Sequence, residues 1–347
     1  MSSGSAQQLE KNLGTAATVD GKRMMFTAAC AAAIREEMER DERVFIMGED
    51  IEEAMLGRTS GLLERFGPSR VRNTPISEAA FVGAGTGAAA TGMIPIVDLF
   101  MSNFLYVAAD QLLNNANKLR YMMGGQVTLP MTILASTGAP GSIGAQHSDA
   151  PYAQVINGGG VKVVIPTNPA DLKGLLKSAI RDPNPVLVLL PMALGSVSGE
   201  VPQEEYLIPL GKGSVLREGT DVTIVAIGAM VRRAVAAAKE LDSAGISAEV
   251  IDPRTLHPLD DELLVSSVGK TGRLVVVDEA RRSCSMASEI VARISSTAFD
   301  SLRAAPRIVA NPDVHVPYAQ SLETQVIPQV SHIVEAGRQV VSGTEAG

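Results

Sequence analysis

Apolar runs of strand length alternate with helix-compatible segments along the first 190 residues of this 347-residue chain. Each run is apolar throughout, which is typical of strands buried on both faces of a parallel sheet covered by helices. The sequence therefore predicts an α/β fold. The predicted strands are residues 44–47, 94–99, 131–135, 161–165 and 186–190. The predicted helices are residues 27–40, 79–91, 110–121 and 169–181.

The second part of the chain repeats this pattern on a smaller scale, with strands predicted at 222–227, 248–251 and 274–277 and helices at 231–244 and 285–297. A polar stretch over residues 196–205, which contains a glycine and a proline, interrupts the pattern and is typical of a linker. We therefore expect four segments along the chain. They are a flexible N-terminus (1–20), a first domain (21–197), a linker (198–212) and a second domain (213–341).

Composition excludes several classes of function. The chain is 46% hydrophobic and carries a net charge of -8, so it can bury a large core but lacks the clustered positive charge that nucleic-acid binding requires. It has no uninterrupted apolar run of membrane-spanning length and no signal-peptide pattern, so we expect no membrane association. The two cysteines, Cys30 and Cys284, lie far apart without metal-ligand spacing, which fits a reducing cytoplasm.

Glu78 is the most informative single residue. It opens a long run of small and apolar residues, and burying an ionised carboxylate there costs several kcal/mol unless a partner meets it. One such partner is a heterocycle nitrogen that needs a proton, because a desolvated Glu with a raised pKa shares or donates a proton near neutral pH. The alternative is that Glu78 caps the helix that begins here, with help from Ser77 or Thr74.

Motifs along nearly the whole chain, from about residue 24 to 341, resemble the beta subunit of the thiamine-diphosphate-dependent 2-oxo acid dehydrogenases. They occur in the family's order, in both predicted domains. The matching blocks lie at residues 48–50, 74–79, 92–95, 103–104, 110–111, 124–126, 146–148, 173–182, 252–260, 272–279 and 317–319. The resemblance implies a parallel-sheet pyrimidine-binding domain followed by a smaller α/β domain like the C-terminal domain of transketolase.

The resemblance also assigns roles to three residues. Thiamine diphosphate needs a carboxylic acid against its pyrimidine ring, and Glu78 occupies the family's position for that acid. Phe104 matches the residue that stacks on the ring, although a lone aromatic more often packs in a core. His147 matches the residue that reaches the substrate or the intermediate. It follows a glycine-rich stretch typical of an active-site loop, where a solvated histidine remains the alternative.

A potassium site is implied at the end of the helix predicted over residues 169–181. Two prolines follow that helix end, which leaves carbonyl groups without partners inside the helix. In relatives this turn binds potassium through main-chain oxygens, and the matching residues here are Met131, Ala179, Ile180, Asp182 and Asn184. The alternative is a capped turn whose carbonyls bind water.

Half of the cofactor site is missing from the sequence. The superfamily holds magnesium and diphosphate through a Gly-Asp-Gly segment, and this chain has none. Gly83, Gly85 and Gly87 form no nucleotide-binding fingerprint and are interpreted as helix-packing positions. The resemblance therefore implies an alpha subunit that brings Mg²⁺ and the diphosphate ligands, in a complex of two alpha and two beta subunits. It also implies a lipoyl acyltransferase partner and a small 2-oxo acid substrate.

Three positions depart from the common family pattern. They are Asp149 in place of Gln, Asn157 in place of His and Leu190 in place of Glu. These departures leave the substrate open between a pyruvate-like 2-oxo acid and acetoin. Further alternatives are the C-terminal half of a split transketolase and a non-catalytic assembly subunit.

Overall fold

The computed structural model describes residues 21–139 and 141–343, so the flexible segment predicted over residues 1–20 lies outside the described residues. The strands are β1 Gly21–Met25, β2 Val44–Gly48, β3 Val71–Asn73, β4 Ile94–Met101, β5 Thr132–Thr137, β6 Lys162–Val164, β7 Val186–Pro191, β8 Ser198–Pro202, β9 Ser214–Arg217, β10 Val222–Ala226, β11 Ala248–Asp252, β12 Thr255–His257, β13 Leu274–Arg281 and β14 Arg307–Asn311. The α-helices are α1 Phe26–Arg40, α2 Leu62–Phe66, α3 Glu78–Ala90, α4 Leu119–Met122, α5 Tyr152–Gly158, α6 Pro169–Ile180, α7 Met230–Asp242, α8 Asp261–Thr271, α9 Met286–Thr297, α10 Gln320–Val326 and α11 Val330–Ser342.

The larger sheet has seven strands in the order β12-β6-β7-β5-β4-β2-β3. Its strands are parallel except for β12, which runs antiparallel to β6. Every residue of β2, β5 and β7 is buried, as expected for continuous apolar strands with helices on both faces. The predicted α/β architecture is confirmed.

The smaller sheet has five strands in the order β14-β13-β10-β11-β9, and only β9 runs antiparallel to its neighbour. Its central strands β10 and β11 are fully buried. Strand β12 lies later in the sequence than β9 to β11 but joins the larger sheet. The C-terminal part of the chain is therefore tied into the first sheet as well as its own.

Two local predictions differ from the structure. The segment predicted as an irregular linker contains β8, which pairs with β1 in an antiparallel two-stranded sheet. A polar edge ribbon of this kind has no apolar run to reveal it. The helix predicted over 110–121 is a π-helix at Asp110–Ala116 followed by the short α4, because the Asn117 N–H bonds to the Leu112 carbonyl five residues back.

Helix α3 packs closely on the larger sheet at Gly85. A Cβ built at this glycine would lie 2.6 Å from Cγ2 of Val97, whereas a Cβ at Gly87 would meet no atom within 4 Å. Gly85 therefore allows α3 to approach the larger sheet closely at Val97. No helix in the described part of the chain is long and apolar enough to cross a membrane.

Candidate active site

Phe104 and His147, the predicted stacking and catalytic residues, follow the carboxyl ends of neighbouring parallel strands, as does Glu49, to which sequence analysis assigned no role. Glu49 comes directly after β2, Phe104 follows β4, and His147 lies in the loop after β5. Glu78 is the first residue of α3, in the connection that follows β3. Because ligands in open parallel sheets bind outside the carboxyl ends of the strands, this edge is the candidate active site.

Glu78 is 5% exposed, and its carboxylate faces that of Glu49. Burial and the nearby charge of Glu78 raise the pKa of Glu49 from 4.5 to about 7. The Glu49 side chain is half-buried overall, yet its Oε1 atom is fully buried and has no hydrogen-bond partner within residues 21–139 and 141–343. Glu49 therefore holds its proton up to about neutral pH, and its Oε1 atom is an acceptor available to a ligand.

The helix-cap alternative for this region finds little support. The Ser77 side chain makes no capping hydrogen bond, and the Thr74 hydroxyl is buried without a partner among the described residues. Glu78 does lie at the positive end of the α3 dipole, which stabilises a negative charge. That stabilisation offsets only part of the cost of placing Glu49 beside it.

Phe104 and His147 are in ring contact. Their centroids lie 5.7 Å apart with an interplanar angle of 79°, an edge-to-face arrangement. The Nδ1–H of His147 donates to the carbonyl of Ile143 at 3.3 Å, which leaves Nε2 available for proton transfer. The structure thus forms two pairs, Glu78 with Glu49 and Phe104 with His147.

A buried ion pair that sequence analysis missed supports this edge. Arg58 and Asp98 are 4% and 2% exposed, and the Arg58 Nε donates to Asp98 Oδ2 at 2.6 Å. Arg58 also donates to the Ser136 hydroxyl at 2.7 Å. These bonds join the loop after β2 to β4 and β5, and so fix the segment that carries Glu49.

The three departures from the family pattern lie in different environments. The Asp149 carboxylate accepts from Arg281 at 2.8 Å and from Asn103 at 3.1 Å. Asn157 is exposed on α5, and Leu190 is 6% exposed near the end of β7. The acid gained at Asp149 is therefore neutralised by an arginine of the second half of the chain.

The predicted potassium ligands surround the turn after α6. The carbonyl of Ala179 accepts from the Asp182 N–H at 3.2 Å, and that of Met131 accepts from the Val186 N–H at 2.9 Å. Each carbonyl oxygen has a second lone pair. The Asp182 side chain accepts from the Asn184 backbone at 2.9 Å. Over residues 21–139 and 141–343, no group of three or more His, Cys, Asp or Glu side chains is placed to hold a metal ion.

Comparison with protein families matches two domains. The model described as "Transketolase, pyrimidine binding domain" matches residues 22–196, and the one described as "Transketolase, C-terminal domain" matches residues 211–333. A solved structure described as a split-gene transketolase, in an inactive beta4 tetramer, is similar with a TM-score of 0.76 and 26% identity. The similarity covers 92% of this chain and 99% of that one.

Curated relatives are more similar in sequence. The beta subunit of acetoin:2,6-dichlorophenolindophenol oxidoreductase from Bacillus subtilis is 41% identical over 87% of this chain and 92% of its own length. The beta subunit of the pyruvate dehydrogenase E1 component from Rhizobium meliloti is 43% identical over 91% of this chain and 70% of its own length. The chain therefore belongs to the family of beta subunits of thiamine-diphosphate-dependent 2-oxo acid and acetoin dehydrogenases.

Proposed function

We propose that this chain supplies the pyrimidine half of an active site that an alpha subunit completes, and that the enzyme decarboxylates a pyruvate-like 2-oxo acid and passes the acyl group to lipoamide. The observation that carries the proposal is the pair of carboxylates formed by buried Glu78 and half-buried Glu49 at the carboxyl edge of the larger sheet. Such a pair is costly unless a ligand uses it.

The residues fit the aminopyrimidine of thiamine diphosphate. Glu49 Oε1 is a buried acceptor without a partner among the described residues, and the raised pKa of Glu49 keeps a proton on this side chain up to about neutral pH. In this proposal Glu78 faces the ring nitrogen and keeps it protonated, while Glu49 shares the proton with Glu78. When bound, the cofactor supplies a carbon nucleophile and an electron sink for loss of carbon dioxide.

Phe104 and His147 line the same edge. Phe104 is half-buried and would pack against the pyrimidine ring in the proposed site, while its contact with His147 orients the imidazole. The free Nε2 of His147 moves a proton during acyl transfer to lipoamide. Their order after adjacent strands β4 and β5 supports these roles.

The remaining parts of the proposal concern ions, partners and location. An alpha subunit would hold Mg²⁺ and the diphosphate in an assembly of two alpha and two beta subunits, and a lipoyl acyltransferase would receive the acyl group. Potassium would be bound by main-chain oxygens of Met131, Ala179, Ile180, Asp182 and Asn184. Two free cysteines, Cys30 and Cys284, support a reducing cytoplasm as the location. We also propose that the first domain ends at residue 197 and that the second begins at residue 213.

Acetoin is the second candidate substrate, because a relative that is 41% identical is named for acetoin oxidation. The split-transketolase alternative is supported by a solved structure that is only 26% identical. Co-expression with an alpha-type subunit, followed by a screen of pyruvate, branched-chain 2-oxo acids, acetoin and ketose phosphates with an artificial electron acceptor, separates these candidates.

The central test is Glu78→Gln in the reconstituted enzyme. The amide keeps the size of the side chain but cannot hold the ring nitrogen protonated, so we expect decarboxylation to fall by about 100-fold or more. The matched control is Glu262→Gln, which alters a carboxylate whose side chain is 92% exposed at the start of α8. Unchanged decarboxylation in Glu78→Gln would show that the proposed function is wrong.

A further inference from the structure

The loop that carries His147 holds one residue with a side chain, Ser142, in a disfavoured left-handed backbone conformation. Gly138 and Gly144 have φ of 74° and 75°, and Ser142 has φ of 50°. The left-handed region is natural for glycine, but any residue with a Cβ pays to adopt it. Ser142 therefore keeps this conformation only because surrounding groups hold it there.

Glu323 is the group that holds Ser142. It lies on α10 in the second half of the chain and is 1% exposed. Its Oε1 accepts the backbone N–H of Gly141 at 3.2 Å and that of Ser142 at 3.1 Å. Two consecutive N–H groups on one buried carboxylate oxygen form a charge-assisted clamp on the loop.

Other side chains from the second half of the chain contact the loop at both ends. The Ala139 N–H donates to Oε2 of Glu279 at 3.3 Å, and Arg281 donates to Asp149 at 2.8 Å. A Cβ built at Gly144 would lie 3.5 Å from the Tyr318 ring. Side chains of the second half of the chain thus contact the loop on both sides of His147.

We propose that Glu323 is a positioning residue for His147, which sets the reach of the imidazole by fixing the backbone of Gly141 and Ser142. This inference rests on the proposed function, since it assigns to Glu323 a role in the step that His147 serves. The carbonyl of Ile143, which accepts the His147 Nδ1–H, directly follows the clamped residue Ser142. A shift of the clamp therefore moves both the imidazole and the acceptor that sets its tautomer.

The experiment uses the alpha–beta holoenzyme and measures two rates separately. One rate is decarboxylation with an artificial electron acceptor, and the other is acylation of lipoamide. We expect Glu323→Ala to lower acyl transfer by about 10- to 100-fold, as expected for a catalytic group displaced by about 1 Å, and to change decarboxylation by less than about threefold. Glu323→Gln keeps an acceptor oxygen for both N–H groups and should restore most of the transfer rate.

A double-mutant cycle distinguishes positioning from general support of the fold. If Glu323 acts through His147, the variant with both Glu323→Ala and His147→Ala loses no more transfer activity than His147→Ala alone. Effects that multiply, or wild-type transfer in Glu323→Ala, would overturn the inference. The control is Glu335→Ala, which removes an exposed carboxylate on the adjoining helix α11.

A replacement variant keeps the test decisive if Glu323→Ala does not assemble. Should Glu323→Ala fail to assemble with the alpha subunit, Glu323→Asp replaces it, because it keeps the charge but withdraws the oxygen by one methylene. We expect Glu323→Asp to lose part of the transfer rate in the wild-type background but none in the His147→Ala background. A loss that persists in the His147→Ala background contradicts the inference. Failure of the positioning inference leaves the Glu78→Gln result intact, so it is distinct from failure of the proposed function.

Discussion

Replacing Glu49 by Gln should stabilise the folded chain at alkaline pH. In the wild type, burial and the charge of Glu78 raise the pKa of Glu49 from 4.5 to about 7. An amide at this position keeps the shape of the protonated acid and carries no charge. The substitution therefore removes the cost of ionising Glu49 beside Glu78.

The sign of the effect follows from proton binding. Below about pH 4.5 both the folded and the unfolded chain hold the proton, so Glu49 costs nothing. Between about pH 4.5 and 7 the unfolded chain releases the proton while the folded chain retains it, so stability falls as the pH rises. Above about pH 7 the full cost is present.

The magnitude follows from the same pKa values. The rise in the Glu49 pKa from 4.5 to about 7 corresponds to a stability cost of about 3 kcal/mol at high pH, because a tenfold change in proton affinity is about 1.4 kcal/mol. Glu49 is only half-buried, and solvent screening reduces this figure. We expect the advantage of Glu49→Gln over the wild type in free energy of unfolding to grow by about 1 to 2 kcal/mol as the pH rises from 5 to 8.5.

Urea unfolding of the purified chain at the two pH values measures this gain. The quantity to compare is the difference in free energy of unfolding between the variant and the wild type, because other buried acids also titrate. Burial raises the pKa of Asp252 to about 7 and that of Glu279 to about 8. Glu262→Gln serves as the control and should show no pH-dependent difference. If the stability advantage of Glu49→Gln does not grow from pH 5 to pH 8.5, the inference that burial and the charge of Glu78 raise the pKa of Glu49 is wrong.

Two further predictions concern packing and charge around the site. Gly85→Ala should lower the free energy of unfolding in denaturant by about 1 to 3 kcal/mol, because the new Cβ would lie 2.6 Å from Val97 Cγ2. Gly87→Ala on the same helix should raise it by up to about 1 kcal/mol, because its Cβ would meet no atom within 4 Å. Equal effects of the two substitutions would contradict the close packing of the helix. Arg58→Met should cost about 3 to 5 kcal/mol because it leaves the Asp98 charge buried without its partner, and adding Asp98→Asn should recover part of that loss in thermal unfolding.

The parallel strands were predictable because each is a continuous apolar run buried on both faces. The predicted strands over 44–47 and 186–190 differ from β2 and β7 by a single residue at one end. Strand β8 was missed because a polar edge ribbon has no such run, and its pairing with β1 joins residues almost 180 positions apart. The π-helix was missed because hydrogen bonds to the fifth residue back leave no distinct periodicity in the sequence.

The candidate site could be predicted only where a single motif marked a residue. Glu78 was predicted from its position at the start of an apolar helix, and the charge of Glu49 next to a buried strand, within a matching block, was a usable signal. Asp98 gave a similar signal as a charge within an apolar run, but its partner Arg58 lies 40 residues earlier. The contact of Glu323 with the His147 loop spans more than 180 residues, so only the tertiary structure reveals it.

The three positions predicted to depart from the family pattern have different surroundings. Asp149 is paired with Arg281, so its negative charge is compensated by the second half of the chain and is not free to repel a 2-oxo acid. Asn157 is exposed to solvent on α5. Leu190 is different, because it is buried beside Ser136 at the carboxyl end of β5, the strand that leads to the His147 loop. Of the three positions, Leu190 therefore has the largest expected effect on the polarity of the carboxyl edge. Its effect on substrate preference is tested by comparing pyruvate, branched-chain 2-oxo acids and acetoin.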